Sequence, residues 1–399
     1  MKISEMIMKI KELELYIHIP FCVKKCQYCD FLSAPAPESV IEAYLDQLLQ
    51  EIRAVSRQYA KDPVITIFIG GGTPSILTPS QMQRLLEQLY AGFFIVPDAE
   101  ITVECNPGTL DAVKLRTYRD FGVNRLSVGL QSAQEEELRL LGRVHTYQEF
   151  RDNYELARSI GFANINVDLM TALPGQRADT YAHSLEKVID LRPEHISAYS
   201  LIIEEGTPFF ERFGESDRLR EKGKDQHQLP DEKEERKMYQ LTKELLQQAG
   251  YQRYEISNYA LDGFVCRHNA GYWRRNNYLG MGLGAASMVN NFRFSNTSDF
   301  GNYLNTDFAN EVYAYTDRYE LQIYEQMEEF MFLGLRMTQG VSAKDFQNQF
   351  HKELEEVYGT VLDKQLKQGF INKTKNGYCL TDFGIDISNY VMAEYLLDP

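Results

Sequence analysis

The sequence predicts an α/β protein: an open, partial (β/α)6 TIM-like barrel followed by a mostly helical, winged-helix-like C-terminal domain. Three observations carry this. Six short apolar runs between Leu13 and Ile202 alternate with helix-periodic stretches. Glycines and polar residues gather where those runs end, the side on which parallel sheets bind ligands. The end of the chain reads as helices closed by a short hairpin. Six units are fewer than the eight of a full barrel, which favours an open one; periodicity alone also permits a flat doubly wound sheet.

In order, Leu13, Leu15, Ile17 and Ile19 alternate with Glu14, Tyr16 and His18 until Pro20, a strand with one apolar face. The other face carries Tyr16 and His18 towards the loop that follows. Ser39 to Tyr59 is an amphipathic helix with Val40, Tyr44, Leu45, Leu48 and Ile52 on one stripe. Val64 to Ile69 is a buried strand entering Gly70-Gly71-Gly72-Thr73-Pro74, and Thr78-Pro79 caps a helix to about Tyr90. Ile101 to Glu104, Arg125 to Leu130, Ile165 to Leu169 and His195 to Ile202 are the remaining strands. Their helices start at Thr109, at Gln134 and Tyr147, and after Leu173-Pro174-Gly175. Glu211 to Lys237 is charged and loop-like, as expected of a connection or lid. A helix to about Gln248 and an aromatic, glycine-rich stretch to Met288 come next. From Tyr319 a long helix to Met337, two shorter ones and a hairpin across Lys375-Asn376-Gly377 complete the chain. The expected division is residues 1–235 as barrel core, 236–315 as connecting region and 316–399 as C-terminal domain.

Composition narrows the function classes. A net charge of −15 argues against non-specific nucleic-acid binding or an anionic membrane surface, and the hairpin domain is itself net acidic. No apolar run is long enough for a membrane span, and Met1 to Glu14 carries no uninterrupted leader-like core. Cys105, Cys266 and Cys379 are scattered singly, so a disulfide framework is not expected; Cys105 and Cys379 read as buried small hydrophobes. The expectation is a cytoplasmic protein.

The other three cysteines, Cys22, Cys26 and Cys29, share one short loop directly after the first strand. Three thiolates so spaced suit a soft metal centre and leave one iron of a cubane uncapped. A zinc knuckle completed by His18 or Asp30 would leave the strand position and the glycine loop unexplained. The triple glycine lets backbone groups approach a ligand. Glu104 and Gln131 end strands, and Asp168 inside an apolar strand needs a partner. All of these converge on one rim.

Cys-x3-Cys-x2-Cys at 22, 26 and 29 resembles the signature of the radical S-adenosylmethionine (SAM) superfamily. Tyr16-Ile17-His18-Ile19-Pro20-Phe21, Gly70 to Ser75, Asn124 to Gln131, Asp168 to Gln176 and the C-terminal module resemble one branch of it. That branch holds oxygen-independent coproporphyrinogen III oxidases and haem chaperones. The resemblance implies a 4Fe–4S cluster on Cys22, Cys26 and Cys29, with SAM on the fourth iron and cleaved to a 5′-deoxyadenosyl radical. It places Tyr16, Tyr28, Gly71, Gly72, Thr73, Glu104, Gln131, Arg143 and Asp168 in cofactor contacts. Arg143 would pair with a carboxylate or stand as a solvated helix residue.

Two features favour the chaperones. The oxidases carry a further cysteine where this chain has Phe31, and a longer N-terminal arm than the 21 residues that precede Cys22 here. His268-Asn269-Ala270-Gly271-Tyr272-Trp273 matches the chaperones' His-Asn-x-x-Tyr-Trp motif. It makes His268 the expected haem ligand, with Cys266 competing and a hydrogen-bonded core histidine as the plain alternative. The implied partners are haem and haem-requiring proteins, membrane-associated respiratory enzymes among them, with no nucleic acid and no stable membrane insertion. The implied alternative is oxidative decarboxylation of coproporphyrinogen III.

Overall fold

The computed structural model describes residues 12–224, 228–310 and 315–397, so most of the N-terminal stretch read as lacking a leader-like core lies outside the described residues. Strands β1 (Leu13–Ile19), β2 (Pro63–Gly71), β3 (Phe94–Cys105), β4 (Arg125–Gln131), β5 (Ile165–Thr171) and β6 (His195–Ser200) pair in sequence order, all parallel. Helices α1 (Glu38–Tyr59), α2 (Pro79–Gly92), α3 (Ala112–Asp120), α4 (Glu135–Leu141), α5 (Tyr147–Ile160) and α6 (Ala178–Leu191) return the chain between them. The helix starts are written locally. Thr78 accepts the Gln81 N–H while the Gln81 side chain accepts that of Thr78, and Thr146 and Glu149 do the same for α5. Each such cap contributes about 1 kcal/mol.

Period-two alternation sorts the strand residues. Leu15, Ile17, Ile67, Val103, Leu126, Val128, Val167 and Leu169 are buried in the sheet–helix core. Their neighbours form rows of mostly polar residues on the opposite, inner face. Tyr16 stands beside Phe68, Phe68 beside Thr102 and Thr102 beside Arg125. Glu104 stands beside Ser127, Ser127 beside Asn166 and Asn166 beside His195. A polar inner face is the geometric condition for a ligand inside the barrel.

Both edges of the six-stranded core are extended. After α7 (Pro208–Glu221) and α8 (Glu232–Gln248), β7 (Gln252–Arg253) and β8 (Asn258–Ala260) add antiparallel to β6. The short α9 (Arg267–Trp273) packs on the inner face beside β2. Then β9 (Asn277–Met281) pairs in parallel with β1, and β10 (Ala286–Val289) and β11 (Phe292–Asn296) continue antiparallel. After α10 (Phe300–Leu304), β12 (Tyr315–Glu320) closes that side, giving twelve strands with β12 and β7 as open edges. The sheet is mostly parallel in its middle and forms no closed barrel. The stretch 236–315, expected as a connecting region, supplies strands to this same sheet.

The C-terminal domain holds α11 (Ile323–Gly334), β13 (Val341–Ser342), α12 (Ala343–Phe350), α13 (Leu354–Gln368), β14 (Ile371–Lys373), β15 (Gly377–Leu380), α14 (Asp382–Asp386) and α15 (Ser388–Ala393). Its small sheet runs β13-β15-β14, over a separate core that includes Leu335, Phe346, Leu354, Tyr358 and Ile371. It is tied to the barrel by Glu329, which pairs with Arg275 at 3.0 Å and Arg293 at 2.7 Å. Arg336 also stacks 4.3 Å over the Trp273 ring.

Some local expectations are corrected. The charged segment after Glu211 is helical up to Glu221, because Thr207 caps Phe210 and Pro208 opens the turn while Phe209 and Phe213, one helical turn apart, bury together. The density of charge hid that spacing. The third helix starts at Ala112 because Asp111 accepts the Val113 and Lys114 N–H groups. Tyr319 belongs to β12, so the C-terminal helix begins only at Ile323. Cys379 is half-buried on β15, not a core residue.

Candidate functional site

The cysteine loop is pinned from several sides by backbone bonds. Gly72 and Thr73 donate to Ile19 and Phe21, Gln27 donates to Leu141, and Phe209 donates to Gln27. His18 anchors the far end: its Nδ1 is bonded to the Tyr16 hydroxyl at 2.9 Å and its Nε2 to the Leu32 carbonyl at 3.0 Å. With both nitrogens used, His18 has none for a zinc ion. Gly71 has φ +113°, and a Cβ there would lie 2.7 Å from the His18 ring; at Gly72 one would lie 2.6 Å from the Phe21 carbonyl and 3.0 Å from Cys22 Sγ. The glycines are therefore required by close approach and not only by the turn.

Above this loop the barrel opens into a pocket of about 540 Å³. It is lined by Cys22, Cys26 and Cys29 together with Tyr28, Gly71, Gly72, Thr73, Glu104, Gln131, Arg143 and Asp168. Residues from the loop and from β2 to β5 thus meet at one place, as the strand-end rule anticipated. Tyr16 is set behind the wall, with its ring 6.5 Å from that of Phe68, which does line the pocket. Thr73 Oγ1 donates to Cys22 Sγ at 3.4 Å and Arg143 Nη1 to Cys26 Sγ at 3.5 Å. Such donors suit sulfur that carries negative charge as a ligand. Among the described residues no three His, Cys, Asp or Glu side chains are gathered closely enough to hold a metal ion. The thiols line one wall without converging.

Two buried acids sit deeper. Glu104 accepts one hydrogen bond, from the Gly71 N–H at 3.1 Å, and burial aided by the neighbouring Asp168 charge pushes its carboxyl up to about 8. Asp168 is raised by burial too, opposed by hydrogen bonds from Asn166 and Ser197. Acids buried beside a pocket fit a ligand that brings ammonium and hydroxyl donors, so the residues present suit SAM. Arg143 does not pair with a carboxylate among the described residues. Its Nη2 donates to the Gly129 carbonyl at 2.6 Å and Asn106 Oδ1 at 2.9 Å, bracing the pocket wall.

Several lining residues escaped the sequence reading: Arg125, Ser127, Asn166, Ser197, Asn258 and Asn269. The first four carried a signal, since each is a polar residue at alternate positions of an apolar strand. Asn258 and Asn269 come from segments whose docking no local pattern shows.

His268 lies elsewhere. It is 1 % exposed on α9 in the barrel floor, bonded through Nδ1 to Thr66 Oγ1 at 2.7 Å and through Nε2 to the Tyr272 hydroxyl at 2.9 Å. Its ring stacks on Phe68 at 5.2 Å. Burial lowers it to about 3, with the Arg125 charge adding to the effect, so it is neutral and has no nitrogen left for iron. The plain alternative, a hydrogen-bonded core histidine, describes this geometry; ligation of haem would require opening the floor. Cys266 is likewise fully buried, 3.6 Å from Glu100 Oε1, its thiol pushed up to about 12 mainly by burial. The rest of the motif also packs. A Cβ on Gly271 would lie 1.8 Å from Glu14 Oε1.

Residues 16–188 match the radical SAM superfamily model and residues 324–387 the HemN C-terminal domain. The chain is 36% identical to the "Heme chaperone HemW" of Bacillus subtilis, over 96% of this chain and 98% of that protein. It is 35% identical to the "Heme chaperone HemW" of Escherichia coli, over 98% and 100%. The solved structure of E. coli coproporphyrinogen III oxidase (HemN), described as a radical SAM enzyme, superposes with a TM-score of 0.82 at 24% identity, covering 97% of this chain and 90% of that one, a likeness of fold. A strand-end pocket lined by the three cysteines, sequence kinship over nearly the whole chain and the C-terminal module agree: the chain belongs to the HemW family of the radical SAM superfamily, which implies a 4Fe–4S cluster and SAM.

Proposed function

We propose that this protein is a haem chaperone: it binds haem and delivers it to haem-requiring proteins, with a 4Fe–4S cluster and SAM in its barrel. The observation that carries the reading is near full-length kinship with proteins named haem chaperone HemW, at 36% and 35% identity. Phe31 supports it, an exposed apolar residue on the pocket rim where the oxidases carry cysteine.

In this reading Cys22, Cys26 and Cys29 hold the cluster, and Tyr28, Gly71, Gly72, Thr73, Glu104, Gln131, Arg143 and Asp168 surround SAM, with Tyr16 supporting from behind Phe68. Bound together, cluster and SAM supply one-electron chemistry at the pocket. Glu104 and Asp168 accept hydrogen bonds from the ammonium and hydroxyls, Gly71 and Gly72 let the backbone close on the ligand, and Arg143 steadies the wall beside Cys26. No helix of the described residues is long and apolar enough to cross a membrane; in this reading the carrier is cytoplasmic and meets membrane-associated recipients transiently.

The test is an anaerobic preparation with reconstituted cluster. It is expected to show a Soret shift on titration with haem and to leave coproporphyrinogen III unchanged when SAM and a reductant are added. Conversion to protoporphyrinogen IX would replace the chaperone with the oxidase.

A further inference from the structure

Arg125 is the largest of the fully buried side chains, 1 % exposed, at the start of β4. It takes part in no ion pair or hydrogen bond among the described residues, and its Nε is buried without a partner. An arginine held this way is costly unless its charge serves a neighbour. It lines the floor of the same pocket as Glu104 and Asp168. The strand register sets it beside Thr102, one row below Glu104 and Ser127.

Of the groups around it, Glu100 below and Asp168 above are the acids that face its charge. Below it, Glu100 accepts the N–H groups of Arg267 and His268 at 3.0 and 3.1 Å and so caps the start of α9. Cys266 and Tyr254 are raised by burial and stay neutral, while His195 and His268 are lowered by burial and by Arg125 itself. Above it, around Glu104, Tyr16, Tyr199 and Cys105 are raised by burial and neutral, leaving Asp168 as the other acid. The second cation at the pocket, Arg143, is engaged by Gly129, Asn106 and Cys26.

We propose that Arg125 is a positioning residue of the cofactor site, a buried positive charge that favours the ionised forms of Glu104 and Asp168 facing the pocket, so that they accept hydrogen bonds from bound SAM. The proposal rests on the reading of this pocket as the SAM site. Arg125 acts through the two acids and makes no side-chain hydrogen bond or ion pair among the described residues. Its removal therefore weakens binding most where those acids are hardest to ionise. Arg143, by contrast, braces the wall directly.

The experiment is calorimetric titration of SAM into the full-length, anaerobically reconstituted protein between pH 6 and 9. The wild type, Arg125→Met and Arg125→Lys are compared, with circular dichroism and cluster absorbance as controls of folding. Arg125→Met is expected to bind SAM at least tenfold more weakly at pH 7, with the midpoint of its pH profile moved upward by about one unit, and Arg125→Lys to restore most of both. Should the methionine variant not fold, Arg125→Gln, which keeps donors at the floor without the charge, takes its place with the same expected shift. An unchanged affinity and midpoint in a folded, uncharged variant overturns the proposal. A lysine variant as weak as the uncharged one overturns it as well. A wild type that does not bind SAM refutes the assignment of the pocket instead, which separates the two failures.

Discussion

The top and the floor of this barrel are built from similar residue types and used in opposite ways. At the top, thiols, glycines and acids face a pocket, and Glu104 has only one hydrogen-bond donor among the described residues, Gly71. At the floor, the imidazole of His268 has both nitrogens bonded, and Glu100 is engaged by the start of α9. The difference lies in saturation. A polar group whose partners are all supplied by the fold holds the fold, and one left under-satisfied beside a cavity is available to a ligand. By that measure the cysteine loop faces a pocket open to a ligand, while the imidazole of His268 in the His-Asn-x-x-Tyr-Trp motif is engaged by the fold.

The largest effect that would break the comparison is at the top. Cys22→Ala, Cys26→Ala and Cys29→Ala are each expected to abolish the iron–sulfur absorption of the reconstituted protein, and His268→Ala to leave it intact. Survival of the absorption in all three cysteine variants would refute the ligand set. Next come the glycines. Gly72→Ala drives a methyl into the Phe21 carbonyl and the Cys22 sulfur, and is expected to lower SAM affinity tenfold or more while the far-ultraviolet circular dichroism is kept. Wild-type affinity in that variant would mean the backbone does not close on the ligand there.

At the floor, His268→Ala strands the Thr66 and Tyr272 hydroxyls and empties a stacked site. We expect a loss of about 3 kcal/mol in stability by denaturant unfolding, with the haem-induced Soret shift unchanged. Retained stability together with a lost Soret shift would restore the histidine as ligand and erase the distinction between the two ends.

The smallest effect is in pH dependence. Burial raises Glu14 to about 8 and Glu51 to about 7 from 4.5. Each folded-state acid therefore holds a proton that the unfolded chain has released, so the unfolded state binds fewer protons between those values. The contribution of these two acids to stability falls as pH rises from about 4.5 and levels off near 8. Glu14→Gln keeps an acceptor for Asn276 and removes the ionisation. Thermal unfolding across pH 5 to 9 is expected to show a shallower decline in this variant. An identical slope would place the proton elsewhere. The 3.9 Å approach of Glu14 to His268 is, at neutral pH, a contact between two uncharged groups and not a salt bridge.

Much of the architecture was legible because it is local. Alternation in Leu13 to Ile19, the Thr78-Pro79 cap and the three-cysteine spacing are all set by residues within a turn or two of one another. The helical start at Pro208 was hidden by surrounding charge. The pairing of β9 with β1 was not legible either, since these strands lie far apart in the chain and only the assembled sheet brings them together.

The sequence by itself determined the repeating β/α core, the polar strand ends and the place of the three-cysteine loop, because each follows from short-range periodicity and spacing. Only the tertiary structure shows where His268 and Arg125 sit and what surrounds them. Their roles depend on partners supplied or withheld by distant segments, Thr66 for the one and the pocket acids for the other, and hydrogen-bond saturation is a property of the folded whole.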